Sequence, residues 1–505
     1  MAGTKMTLRR STRVTQSKTK KMQEILSPEL FIRRESDGSG GEMSESEESV
    51  DSCEEEMFAQ GEDFLLHNQP SEDSDVDWEP EVSGPASKRQ RRDDGSSSDE
   101  ERRGGDVGAS SSPEEEKWND VDEPDITPAQ PTFRPTYSPG PQLVHTASYT
   151  PLQIFQMFFS NSVLQTIARN TNAFGSTHHS TPSAPWVDVT VPDLLSYMSL
   201  VVFMGVVKCS AFTDYWRGGK LYNLQFPRLA MSGKKFLRIC RPLHLSNPAD
   251  DADNEQRRGT ASFDRLAKIK PLYEEMREAC KRNYHPYQEI SIDERTVASK
   301  ARVGLKRYMK GKPVRNGYKL FVLADSRNGY TWDFFVDQKK AQGTSGKGLS
   351  YDSVMALVDT RILGTGYKLY VDDFYTSPAL FRDLLQKKIW ACGTVRANRS
   401  GFPKTRVNGM GSKSPHGSIR WIREDSLLFV QWRDTRDVSL CSTVHTAHSD
   451  ERVQRRSKGA DGVWEVKDVS IPPAVKDYNR YELQIQLWIQ SVPLHGKFNS
   501  SLIQN

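Results

Sequence analysis

Apolar positions are spread unevenly along the chain. Before residue 149 the sequence runs in polar and charged blocks, and nearly all the long apolar runs come after it. Residues 150–174 (TPLQIFQMFFSNSVLQTIARNTNAF) repeat apolar side chains at helical spacing, with Thr150 placed as an N-cap and Pro151 at the first helical position. Residues 191–209 (VPDLLSYMSLVVFMGVVKC) carry the same signature around Pro192, and further helices are predicted over 233–243 and 263–282. After Pro286 the period changes from helical to alternating. EISIDE (289–294), GYKLFVLADS (317–326) and YTWDFFVD (330–337) read as strands, with turn signals at Gly317 and at Arg327, Asn328 and Gly329. A helix over 351–363, a strand KLYVDD (368–373), a helix over 378–387 and a strand IWACGTV (389–395) follow. SLLFVQWRD (426–434) and DVSLCSTVH (437–445) add two strands, paired as a hairpin or as an inserted β-element.

Three strands, helix, strand, helix, strand is the element order of a ribonuclease-H-like α/β sheet. EISIDE and KLYVDD each deliver a carboxylate at or near a strand end, Asp293 and Asp372, on strands that would be neighbours. Phosphodiester cleavage needs an attacking oxygen activated and a leaving oxygen stabilised. Two Mg²⁺ ions about 3.5–4 Å apart do both, held by three or more carboxylates. Mg²⁺ is a hard ion that keeps oxygen ligands, so Asp suits it and scattered Cys does not. Two ordinary strand-end acids making turn hydrogen bonds are the alternative. Between them lie Arg295, Lys300, Arg302, Lys306, Arg307, Lys310, Lys312, Arg315 and Lys319, with Tyr308 and Tyr318 interleaved and no acid from 295 to 324. Such a run is either a solvated loop or a surface that holds a phosphate backbone, with binding that falls steeply with salt. GTSGKG (343–348) lacks the spacing of a Walker loop and does not follow the required strand.

The formal net charge of +3 says little about partners; its distribution says more. Residues 1–21 are basic, and serine-acid blocks then follow that cannot offset their ordering entropy by burial, so this stretch reads as disordered. Within it Lys88, Arg89, Arg91 and Arg92 form a compact basic cluster, either a nuclear import signal or solvated charge. A proline-rich linker ends this tail. The six cysteines are scattered without a CxxC pair, which argues against a zinc module and a disulfide framework and fits a reducing compartment. No apolar run approaches the ~18 residues of a membrane span, and no signal-peptide core opens the chain. The expectation is a soluble intracellular protein with no membrane partner.

TPLQIFQMFF, VVFMGVVKCSAFTDYW, FLRICRPLHLSN, EISIDE, RYMKGKPVRNGYKLFVLADSRNGY, YVDDFYTS and ACGTVRANRSGFP together resemble the piggyBac transposase family over roughly 149–481. The resemblance implies an α/β ribonuclease-H-like core behind a helical dimerisation and DNA-binding region, and a β-rich insertion before the last catalytic helix. It implies cut-and-paste chemistry at TTAA targets, with a divalent metal, Mg²⁺, held by three aspartates. On this pattern Asp293 matches the first aspartate and Asp372 the second, with Asp373 beside it. PPAVKDYNRY (472–481) matches the approach to the third, but the chain then reads ELQIQLW and places Gln486 where that aspartate belongs. Gln supplies no anionic ligand. Asp434, Asp437 and Asp477 lie nearby in sequence, none at a matching position. The implied division is a disordered tail over 1–140, the helical region over 141–285, the core over 286–425, the insertion and approach to the last helix over 426–481, and a divergent C-terminus over 482–505. The expected function is a nuclear, domesticated transposase derivative that binds double-stranded DNA without strand transfer. An active metal-dependent transposase, or a chromatin-associated factor that recruits proteins through its acidic tail, are the alternatives. A homodimer is the expected assembly, and Lys300, Arg302, Lys306, Arg307, Lys310, Lys312, Arg315 and Lys319 are the expected DNA contacts.

Overall fold

The structure, a computed structural model, describes residues 116–219, 223–298, 307–308, 316–338, 345–458 and 464–483. Short strands β1 (Arg134–Pro135) and β2 (Gly140–Pro141) lead into seven helices. These are α1 (Pro151–Gln156), α2 (Asn161–His178), α3 (Val191–Val206), α4 (Gln225–Ala230), α5 (Gly233–Cys240), α6 (Pro248–Gln256) and α7 (Lys270–Asn283). Thr150 caps α1 as predicted, in a reciprocal box with Gln153. The single helix expected over 150–174 is broken where Ser160 turns its hydroxyl to the Val163 amide and starts α2. The helix expected over 263–282 begins only at Lys270, because Pro271 is tolerated in a first turn but not in a helix interior. Ile167 of α2, Leu194 and Leu200 of α3 and Phe236 of α5 close one apolar core. Among the described residues no helix is long and apolar enough to cross a membrane.

The alternating half supplies β3 (Tyr284–His285), β4 (Glu289–Ala298), β5 (Arg307–Tyr308), β6 (Asn316–Asp325) and β7 (Thr331–Val336). Next come α8 (Leu349–Leu357), α9 (Thr360–Leu363), β8 (Gly364–Thr365), β9 (Lys368–Val371), α10 (Pro378–Gln386) and β10 (Trp390–Thr394). Strands β11 (Ile419–Glu424), β12 (Leu427–Arg433), β13 (Asp437–Ser442), β14 (Arg452–Lys458) and β15 (Trp464–Ser470) follow, then α11 (Pro473–Tyr478) and a π-helical turn (Asn479–Leu483). The large mixed sheet runs β11-β12-β13-β10-β9-β4-β6-β5, with β7 also on β6. Strands β4, β9 and β10 are parallel, while β6 pairs antiparallel with β4 and β7 antiparallel with β6. Ile290, Ile292, Leu369 and Val371 point to one face, where Val354 of α8 and Leu380, Phe381 and Leu384 of α10 cover them. On the other face Tyr370, Cys392, Val430 and Leu440 meet Ala474, Val475 and Tyr478 of α11.

Four expectations are corrected. The tail boundary at residue 140 is too late, because residues 116–140 belong to the fold. Trp118 is 2 % exposed within the main core and its indole donates to the Thr405 carbonyl at 3.1 Å. Asp125 forks onto Arg423 at 2.6 Å, both side chains under 8 % exposed. The boundary at 425 does not mark a separate unit either. Strand β13 pairs antiparallel with β10 through Cys392 and Ser442, so the strands at 427–442 extend the main sheet, and only β14–β15 stands apart as a hairpin. Gly317 lies inside the β4–β6 pairing and not at a turn, and a Cβ there would collide with the Val297 carbonyl. Finally, β9 ends at Val371, and Asp372 opens a turn.

Candidate carboxylate site

Register decides where the two sequence-predicted acids meet. Parallel pairing sets Ile292 of β4 against Val371 of β9, so one residue further on Asp293, in the middle of β4 and not at its end as expected, lies level with Asp372, where β9 gives way to a turn. Adjacent strands are about 4.8 Å apart. Side chains alternate, and Ile292 and Val371 fill the α8/α10 core, so Asp293 takes the opposite face together with Ser291 and Tyr370. Asp293 is 6 % exposed. The Asp372 carboxylate accepts from the Phe374 amide at 3.0 Å, and its carbonyl accepts from the Thr376 amide and hydroxyl at 3.1 and 2.8 Å. Gly393 of β10 lets this turn sit close, because a Cβ there would overlap the Thr376 hydroxyl and the Val371 carbonyl. Asp372 keeps some solvent contact by area. Even so, burial, followed by the negative charges of Asp293, Glu294 and Asp373, pushes its carboxyl well above the ordinary range.

The surrounding charges are largely spoken for. Glu294 lies on the other face and is ion-paired with Lys319, whose ammonium sits 5.1 Å from the Phe321 ring and 4.7 Å from that of Phe374. Asp373 takes both arms of Arg396 at 2.6 and 3.2 Å. Lys347, in the glycine-rich loop, is paired with Asp383 at 2.7 Å and not turned to a phosphate cradle.

A third acid arrives from a residue that the sequence reading passed over. Helix α11 lies on the sheet's second face, and the chain leaving it is held where the Ser291 hydroxyl donates to the Tyr481 carbonyl at 3.1 Å and the Tyr481 ring lies 5.0 Å from that of Tyr370. The next residue, Glu482, is completely buried and neither of its carboxyl oxygens has a hydrogen-bond partner. Burial, then the charges of Asp293 and Asp372, push this carboxyl well above the usual range. The signal was its place directly after YNRY, four residues before Gln486 and so one helical turn from the expected position. Among the described residues no three acids, histidines or cysteines are gathered tightly enough to enclose an ion as they stand.

The other candidate acids are engaged elsewhere. Asp434 accepts from Arg455 at 3.3 Å, Asp437 pairs with Arg433 at 2.7 Å, and Asp477 meets His445 at 3.0 Å. His445 in turn contacts the Ser442 hydroxyl at 2.8 Å. This Ser–His–Asp string is a clamp and not a nucleophile, since Ser442 is fully buried and accepts from the Val444 and His445 amides. Of the expected DNA contacts, Arg307 stands on β5 and Lys319 on β6. Lys300, Arg302, Lys306, Lys310, Lys312 and Arg315 lie outside the described residues, as do Gln486 and the cluster Lys88, Arg89, Arg91 and Arg92.

Comparison with known proteins bears on the whole arrangement. The transposase IS4 family model matches residues 150–502. Human PiggyBac transposable element-derived protein 3 is 23 % identical over 341 residues, covering 66 % of this chain and 54 % of that protein. Human PiggyBac transposable element-derived protein 5 is 22 % identical over 320 residues, covering 60 % and 58 %. The matches thus span little more than half the length of these relatives. A cryo-EM structure of a piggyBac transposase synaptic complex with hairpin DNA shares the fold, with a TM-score of 0.56 at 21 % identity over 70 % of each chain.

Proposed function

The chain belongs to the piggyBac family of transposases, and from that premise we propose that it is a nuclear, domesticated member that binds double-stranded DNA through a ribonuclease-H-like core without carrying out strand transfer. The observation that carries this reading is the placement of Asp293 within β4 and Asp372 just past the end of β9 at the same level of two adjacent parallel strands, with β6 antiparallel to β4 and β7 antiparallel to β6. The basic residues from Lys300 to Arg315 follow β4 in sequence and would hold backbone phosphates. The related transposase chain was imaged as a complex with hairpin DNA, which supports a DNA partner here.

The donor set of this site fits a hard divalent cation. It is all oxygen and anionic, and it includes a buried carboxylate with no hydrogen-bond partner. Asp293 and Asp372 would hold Mg²⁺, which when bound supplies activation of an attacking oxygen and charge stabilisation at phosphorus. The Phe374 and Thr376 contacts fix the Asp372 turn, and Lys319 is ion-paired with Glu294 on the other face of β4. Loss of strand transfer follows from Gln486 at the third family position and from the engagement of Asp434, Asp437 and Asp477 elsewhere.

An electrophoretic mobility assay of the full chain on duplex DNA across a salt series tests the reading. Binding should weaken linearly in log–log form as salt rises, and no binding at low salt would refute it. One observation, the buried Glu482 facing the aspartate pair, favours a second reading, a metal-dependent cleaving enzyme. Excision that depends on Mg²⁺ and is abolished by Asp293→Asn would establish that alternative.

A further inference from the structure

The Glu482 side chain has no ordinary structural explanation. A carboxylate taken fully out of water costs several kcal/mol unless paired. Here both oxygens are buried and neither finds a donor. The Ser291 hydroxyl donates to the Tyr481 carbonyl and contacts Ser326 at 2.7 Å; its influence on Glu482 lowers the carboxyl pKa but is outweighed by burial and by the charges of Asp293 and Asp372. The groups that its charge meets are two more acids, Asp293 and Asp372. Lys319 lies on the other face and is committed to Glu294, while Arg295, two residues beyond Asp293 on the same face of β4, has its guanidinium pKa lowered by burial. Gathering like charges in a buried place is unfavourable for the protein alone and becomes favourable when a cation joins them.

We propose that Glu482 is a third anionic ligand of a divalent-cation site with Asp293 and Asp372, reaching it from a position four residues before Gln486 and so without restoring the family's own third position. This rests on the reading that the aspartate pair holds a divalent cation. As they stand the three carboxylates do not form a group that encloses an ion, so binding requires them to be drawn together. Three features of the fold deliver the residue. Helix α11 is locked to the sheet by Ala474, Val475 and Tyr478, Asp477 is clamped by His445, and Tyr481 is tied to Ser291. Glu482 is therefore placed by the element that the family pattern retains, PPAVKDYNRY, and not by the divergent residues beyond it.

Mn²⁺ binding to the full-length protein, followed by electron paramagnetic resonance and by the Mn²⁺-induced rise in melting temperature, provides the test. Wild type, Asp293→Asn, Glu482→Gln and Glu482→Asp are compared. The expected result is that Asp293→Asn and Glu482→Gln each weaken Mn²⁺ binding by about ten-fold or more, with partial recovery in Glu482→Asp. Without metal, Glu482→Gln should melt higher than wild type at alkaline pH, because it removes a carboxyl whose ionisation burial and two neighbouring acids oppose. A lower metal-free melting temperature would assign Glu482 a structural role and overturn the proposal. If Asp293→Asn abolishes binding and Glu482→Gln leaves it unchanged, the aspartate pair holds the ion and Glu482 does not. If Asp293→Asn has no effect, the cation site itself fails, and the proposal falls with it.

Discussion

Asp125→Ala should unfold this protein far more readily than its place in a proline-rich, charged stretch implies. Asp125 and Arg423 are 4 % and 7 % exposed and share two hydrogen bonds of 2.6 Å. The same carboxylate accepts from the Ala447 amide at 2.7 Å, and Arg423 also donates to the His445 carbonyl at 3.0 Å. Removing the acid strands a buried guanidinium that already has one nitrogen, Nη1, without a partner. Breaking a buried pair by deleting one member costs about 3–5 kcal/mol. A typical domain is stable by only about 5–15 kcal/mol, so the loss is a large fraction of the total. Lys117→Ala, eight residues earlier, is the internal control. Its pair with Glu123 spans 3.5 Å between side chains 55 % and 49 % exposed, and should be worth about 0–1 kcal/mol. Urea titration followed by tryptophan fluorescence separates the two, and Trp118 in the same segment is a suitable reporter. If Asp125→Ala costs no more than Lys117→Ala, residues 116–140 do not belong to the folded unit, and the assignment made here is wrong.

Two further outcomes follow from the same contacts. Asp193 closes the capping box of α3 with Thr190 and pairs with Lys235; burial opposes this, but the Lys235 and Thr190 hydrogen bonds prevail and hold its carboxyl below the ordinary value. A depressed folded-state pKa means stability that is present above about pH 4 and is lost as acidification passes below it. Wild type should therefore lose stability below about pH 4 faster than Asp193→Asn in melts across a pH series. Lys319→Ala should destabilise the fold by about 1–3 kcal/mol, because Glu294 is left unpaired near Asp293 and Asp372. It should leave the salt slope of DNA binding unchanged, whereas a fall of about one in that slope would make Lys319 a phosphate contact after all.

How much of this was legible in the sequence depended on whether the signal was local. The strands β4, β6, β7, β9 and β10 announced themselves by alternation, since each buries side chains on the pleated faces of one sheet. The aspartate pair was legible in part for the same reason: Asp372 follows the end of β9, and parallel register sets it level with Asp293, although β4 runs on past Asp293 to Ala298. Residues 116–140 gave no such signal, because what holds them lies about 300 positions away. Trp118 reaches Thr405 and Asp125 reaches Arg423, so prolines and charges that read as a linker are individually tied to distant strands. The β14–β15 hairpin was silent for a different reason. Its strands, RVQRRSK and WEVKDVS, are dominated by polar and charged residues, and pairing with each other off the main sheet leaves no apolar stripe to recognise.

Glu482 is the sharpest of these cases, because pattern and packing disagree about it. Matching motifs by position directs attention to residue 486 and finds an amide there. Packing instead asks which side chain the last helix drops onto the acid face, and α11 answers with the residue after Tyr481. The two criteria differ by four residues, about one helical turn, and on a helix that spacing returns to the same face. A chain that diverges from its family at this point can therefore change which residue carries the charge while keeping the direction from which it comes. The contact that fixes this direction is Ser291 to Tyr481, which joins the strand bearing Asp293 to the turn bearing Glu482. The third carboxylate is thus a property of how α11 sits on the sheet; its place directly after PPAVKDYNRY was visible in the sequence, but its burial on the acid face was not.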